Sequence, residues 1–195
     1  MEELQLISAL KEGDQCSFRI IVDEYQKMVL NCCYRFVLNK ETAEDLTQDV
    51  FIEVYRSIAS FKNESKLSTW IYRIAVSKSL DHLKSMKRKK RFALIKSLSE
   101  DEDNPSNFEQ IADSESPGPQ KTLENEDRIK ILADAVAKLP ANQKIAFSLS
   151  KFDEMPYREI ADVLDVSVSS VESLIHRAKA SLKKKLYNFY DEFLQ

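Results

Sequence analysis

The sequence predicts an all-α fold: two small helical domains joined by a flexible acidic linker. Three observations carry this. Apolar residues recur at helical spacing almost throughout, with no alternating strand run. Glycine occurs only twice. The stretch 99–120 is acidic, holds Ser, Asn and Pro, and has too few apolar side chains to offset its ordering entropy. The expected boundaries are 1–92, a linker over 93–121, and 122–195.

In the first domain, a short amphipathic helix over 2–11 stops at Gly13. A long helix over 17–38 carries Phe18, Ile21, Val22, Tyr25, Met28, Val29, Cys32 and Phe36 on one stripe. A third helix over 42–60 opens on Thr42-x-x-Asp45, which resembles a capping box, and buries Leu46, Val50, Phe51, Val54 and Ile58. A polar loop over 62–66 leads into a fourth helix over 67–90. In the second domain, helical periodicity over 122–139 runs through Leu123, Ile129, Leu132, Ala133, Val136 and Leu139 until Pro140. Another helix covers 142–152.

The region 156–186 reads as two helices and a tight turn. Tyr157, Ile160, Ala161 and Leu164 share one face; Val171, Leu174, Ile175, Ala178 and Leu182 share another. Asp165 tolerates the left-handed conformation between them, and Ser167 is a natural N-cap. Ser169, Glu172, Ser173 and His176 fall on the outward side. Arg177, Lys179, Lys183, Lys184 and Lys185 follow. This is the layout of a helix-turn-helix, with base-reading positions near the start of the second helix and phosphate contacts further along. A plain helical hairpin is the alternative.

The net charge of −3 argues mildly against nucleic-acid binding, but the charge is segregated. Lys84, Lys87, Arg88, Lys89, Lys90, Arg91 and Lys96 form a basic run, and Glu100 begins an acidic one. Asp45, Gln48, Asp49, Ile52 and Arg56 align opposite the core stripe of the third helix. That pattern fits a solvated face with one stray aliphatic as well as a protein-docking patch. Trp70 and Tyr72 among Lys66, Arg73 and Lys78 place aromatics beside cations, as single-stranded nucleic acid requires. Core packing is the competing account of both rings.

The two histidines, His82 and His176, are far apart, and phosphate loops, nucleophile elbows and paired metal ligands are missing from the sequence. No catalysis, cofactor or metal is expected. The three cysteines are too few for a disulfide framework, and a reduced core thiol suits Cys32. With no signal-like N-terminus and no membrane-length apolar run, the expected compartment is the cytoplasm, without membrane insertion.

Several stretches, in order, resemble bacterial sigma factors of the extracytoplasmic-function group. They are TAEDLTQDVFIEVYRSIASF, SKLSTWIYRIAVSKSLDHLK, LPANQKIAFSL and PYREIADVLDVSVSSVESLIHRAK. The resemblance implies a sigma subunit that binds core RNA polymerase and directs it to promoter DNA. The first domain would bind and open the −10 element, its third helix docking on the β′ clamp helices through Asp45, Gln48, Asp49 and Ile52. The loop Asn63, Ser65, Lys66 and Leu67 would take a flipped −10 base, with Thr69, Trp70, Arg73 and Lys78 beside it. Lys87, Arg88, Lys89, Lys90 and Arg91 would meet phosphate. The second domain would read the −35 element through Ser169, Ser170, Glu172, Ser173, His176, Arg177 and Lys179, and would contact the β flap. An anti-sigma factor is the implied regulatory partner. The rival readings are a stand-alone helix-turn-helix regulator and a helical adaptor of polymerase.

Promoter elements about 25 base pairs apart lie roughly 85 Å apart at about 3.4 Å per pair. A linker of about 30 residues reaches at most about 100 Å, and as a free coil spans only about 30 Å. Bridging both elements therefore needs an extended linker, and the free chain is expected to bind promoter DNA poorly. Competition of the acidic linker for the Lys87–Arg91 run would add to this.

Overall fold

The computed structural model describes residues 3–100 and 131–193. Helices α1 (Glu3–Lys11), α2 (Gln15–Val37), α3 (Lys40–Ser57) and α4 (Leu67–Glu100) form the first unit, with a 3-10 turn over Ile58–Ser60. Helices α5 (131–137), α6 (Ala141–Lys151), α7 (Tyr157–Leu164) and α8 (Val168–Phe193) form the second. No strand occurs among the described residues.

Local chemistry sets the boundaries. Asp14 caps α2, its carboxylate accepting from the Ser17 N–H at 2.7 Å. Leu38 ends α2 in the left-handed region (φ 53°) and donates to the Tyr34 carbonyl at 2.8 Å. Asn39 then caps α3 by accepting from the Thr42 N–H at 2.8 Å. The expected Thr42 capping box is therefore displaced by three residues, because Asn39 is a better-placed acceptor. Helix α4 continues to Glu100, which corrects the linker reading over 93–100. Ala93, Leu94 and Lys96 are strong helix formers, and no Gly or Pro interrupts them. The rest of the expected linker, 101–121, and the helix start at 122–130 lie outside the described residues.

Ile21, Val29, Val50, Val54 and Ile71 are fully buried in the first unit; Ile145, Leu149, Ile160, Val171 and Ile175 are in the second. These residues belong to one continuous core. The two units, whose relative arrangement the sequence leaves open, thus share a seam in which α7 packs on α4. The stripe reading is corrected at these positions. Tyr157, Leu132 and Ala133 are exposed, while Val163 and Ala135 are buried. Ala135, Val136 and Leu139 pack with Ala178 and Leu182 in a smaller cluster.

Polar groups pin the seam. Arg35 of α2 ion-pairs with Asp153 after α6 and lies over the Phe152 ring at 5.1 Å. Lys144 of α6 is buried and donates to the Phe36 carbonyl at 3.3 Å. Burial pushes the Tyr72 hydroxyl well above its ordinary range, with the Asp153 charge adding to it. Cys32 and Cys33 are buried free thiols whose pKa values are raised by desolvation, as suits inert core residues.

Burial also lowers the pKa of Lys144 below the usual 10.5. Between the folded value and the unfolded one, the unfolded chain binds more protons, so folding stability from this group rises with pH. In Lys144→Met that rise should disappear. Denaturant unfolding of the two proteins from neutral pH toward 10.5 should show the variant losing ground as pH climbs. Parallel stability curves would contradict it.

Candidate nucleic-acid interface

The helix-turn-helix is built as its sequence requires. Asp165 adopts φ 55°, the Val166 N–H reaches back to the Ala161 carbonyl at 3.1 Å, and Ser167 Oγ accepts from the Ser170 N–H at 3.2 Å. Val171, Ile175, Ala178 and Leu182 hold α8 to the core. Ser169, Glu172, Ser173, His176, Arg177 and Lys179 are exposed; Ser170 is half-buried. Glu172, Ser173, His176 and Arg177 line one shallow concavity of about 290 Å³.

On α3, Leu46, Val50, Phe51 and Val54 face inward, and Asp45, Gln48, Asp49 and Ile52 face out. Ile52 is 47% exposed, an aliphatic side chain one turn after Asp49 and one turn before Arg56.

The loop before α4 is shaped by both its ends. Lys11 of α1 donates to the Phe61 carbonyl at 2.6 Å. The Leu67 N–H, an unpartnered donor of the first turn of α4, donates to the Glu3 carboxylate at 3.3 Å. Asn63 takes φ 58° between these anchors and is exposed with Lys66, while Ser65 is half-buried.

Two candidate residues are not exposed as a loop reading implies: Leu67 is 1% exposed and Thr69 2%, so Leu67 lies in the core here and Thr69 offers only its hydroxyl at a seam. Trp70 is half-buried, its ring 5.0 Å from that of Phe61 and its edge in the cleft above α4. Tyr72 is core. Lys78 is tied to Glu53 at 3.0 Å. Lys87, Arg88, Lys89 and Arg91 project from the far part of α4, all exposed; the Lys90 side chain lies outside what is described.

The seam brings further groups to this surface. Lys66 donates to Glu159 at 2.6 Å, the Thr69 hydroxyl donates to the same carboxylate at 3.2 Å, and Arg73 sits 3.8 Å from Asp165. Sequence reasoning missed Glu159. Its spacing to Asp162 and Asp165 was the available signal, an acidic row on the side of α7 away from its own core.

Two family models match this chain. Sigma-70 region 2 covers residues 21–89, which hold the exposed α3 stripe and the loop, and Sigma-70 region 4 covers 129–182, which hold the helix-turn-helix. Together they take in more than half of the sequence. The ECF RNA polymerase sigma factor SigW of Bacillus subtilis is 32% identical over 180 residues, 92% of this chain and 94% of the relative. The ECF RNA polymerase sigma-E factor of Haemophilus influenzae is 31% identical over 181 residues, 93% of each.

The chain belongs to the extracytoplasmic-function group of sigma-70 factors.

As a sigma factor it binds core RNA polymerase and promoter DNA and directs transcription initiation, a non-catalytic role. Its fold is that of a solved sigma factor, RpoE of Bartonella quintana in complex with the anti-sigma factor NepR, with a TM-score of 0.61 at 19% identity over 87% of this chain and 96% of that one. Among the described residues, the sigma factor has no helix long and apolar enough to cross a membrane and no cluster suited to a metal ion.

Helix α1 precedes the region 2 match, yet holds the loop by both ends. Replacing Glu3 with Gln weakens a charge-assisted bond by about 1.4 kcal/mol. Hydrogen exchange at the Leu67 amide should then quicken by about tenfold, since ~1.4 kcal/mol is a factor of ten in the opening equilibrium. Unchanged protection would show that α1 does not hold the loop.

Proposed function

We propose that three separate surfaces of this sigma factor divide its work. The α3 stripe of Asp45, Gln48, Asp49 and Ile52 docks core polymerase on the β′ clamp helices. The loop Asn63, Ser65 and Lys66, with Thr69, Trp70 and Arg73, takes the −10 strand, and Lys87, Arg88, Lys89, Lys90 and Arg91 follow its phosphates. The outward face of α8 reads the −35 element, and the second unit contacts the β flap. The observation that carries this is the exposed Ile52, one turn after Asp49 and one turn before Arg56, on a helix whose opposite side is core. Exposed aliphatic side chains ringed by charge suit specific protein docking.

An anti-sigma partner belongs to the same reading, since RpoE of like fold is solved with one. A cytoplasmic location follows from the work itself, which needs polymerase and the chromosome.

Asp49→Lys combined with Ile52→Glu should abolish co-purification with core enzyme while the circular dichroism spectrum stays native. Retention of core binding by that double variant would move the docking site elsewhere.

Glu172 tests the −35 face. The cap of α8 is already supplied by Ser167, which leaves the Glu172 carboxylate free to accept from a cytosine N4 amino group. Glu172→Ala should cost about 1–3 kcal/mol on the cognate −35 element and relax preference at one position. Selection from randomised −35 duplexes with each protein reads this directly. Identical sequence preferences would leave Glu172 with only a structural role.

A further inference from the structure

The seam is arranged unevenly with respect to the three surfaces. The α3 stripe and the outward face of α8 are exposed. The cleft over the N-terminal part of α4 is covered. It has a volume of about 360 Å³, with Glu64, Ser65, Thr69, Trp70 and Arg73 on one wall and Ala161, Asp162, Asp165 and Val166 on the other. The covering element is α7, and its contribution is acidic. Glu159 and Asp162 stand on one side of that helix and Asp165 follows at its end.

The geometry at Glu159 is specific. One carboxylate oxygen accepts from the Lys66 ammonium at 2.6 Å and the other from the Thr69 hydroxyl at 3.2 Å. An ammonium and a buried hydroxyl sharing two oxygens of one anion is an arrangement that a phosphodiester, with its two unesterified oxygens, also satisfies. Arg73 supplies a second cation against Asp165, and Trp70 supplies an aromatic wall for a base. Each feature of a single-strand site is present, and each cation in it is met by a carboxylate of the same chain.

We propose that Lys66, Thr69 and Arg73 form a phosphate site for the −10 single strand and that the acidic side of α7 occupies it as a nucleic-acid mimic in the free chain. This rests on the assignment of the loop and α4 to the −10 element, and deepens it. The consequence is an order of events. The free sigma factor presents its polymerase-docking stripe and its −35 face while the −10 cleft is closed, so the strand enters only after α7 leaves. Ligands that bind only the open form lose apparent affinity in proportion to the open fraction.

The test uses the full chain and a pool of fluorescein-labelled random single strands, with a random duplex pool as comparison, both followed by anisotropy at low salt. Glu159→Gln keeps the shape and removes the charge. It should tighten single-strand binding by about fivefold, the worth of one partly exposed ion pair. Duplex binding should stay as in wild type, since the α8 face is open either way. Asp165→Asn is the second variant: Asn tolerates the left-handed backbone at that position, so folding is preserved, and a smaller gain of the same sign is expected. Unchanged single-strand affinity in both variants would overturn the mimicry. Equal gains on single strands and duplex would also overturn it, because the effect would then be one of net charge. Lys66→Ala and Arg73→Ala in holoenzyme separate the two layers. If they impair promoter opening while Glu159→Gln changes nothing in the free chain, the −10 assignment stands and the mimicry fails. If they leave opening intact, the −10 assignment itself fails.

Discussion

Helix α4 has to satisfy three neighbours at once, and the rest of the molecule follows from that constraint. Its inner face packs on α2 and α3 to close the first unit, and its N-terminal part carries α7. Ile71, Ala75 and Val76 are buried in the process, while Trp70 and Arg73 stay at the edge of the same turn, facing the cleft. A helix so used cannot present its first turns to solvent. The exposed face of α3 and the outward side of α8 lie elsewhere. Buried apolar residues of both units join in one core across the seam, where each Å² of apolar surface removed from water contributes roughly 25 cal/mol. Polar pairs such as Lys66 with Glu159 and Arg35 with Asp153 accompany it.

The division of charge makes functional sense in those terms. Cations that would hold phosphate stay out of contact with competing anions in the cell only if something covers them, and the neighbouring unit provides carboxylates at the right places. Arg35 with Asp153, and Lys144 with the Phe36 carbonyl, add polar contacts between the two units elsewhere along the seam.

Much of this was legible in the sequence, and the failures have physical causes. Periodicity gave the helices and the core face of α2, α3 and α8, and the Asp165–Ser167 turn took the conformation its chemistry favours. The start of α4 at Leu67 was read correctly from the end of the polar loop, whereas the base-contacting role given to Leu67 came from the family resemblance, and local pattern did not show that this side chain would be buried. Thr42 was taken for a cap because the pattern fits, although Asn39, three residues earlier, competes better. The seam itself could not be read. Pattern analysis shows that a helix has an apolar side, not which helix will cover it, and local spacing does not place Glu159 beside Lys66. The Lys11 and Glu3 contacts to the loop are likewise long-range, with no signature in local spacing.

The most direct measurement is energy transfer between dyes on either side of the seam, at cysteines introduced for the exposed residues Lys62 and Arg158, with the exposed Cys16 first changed to Ser. Cys32 and Cys33 are buried and should stay unlabelled. The structure predicts high transfer in the free chain. In holoenzyme on promoter DNA, where the two elements stand roughly 85 Å apart, transfer should fall nearly to zero. Low transfer in the free chain, or high transfer that persists in the open promoter complex, would contradict an account in which the second unit covers the −10 surface and withdraws from it on the promoter.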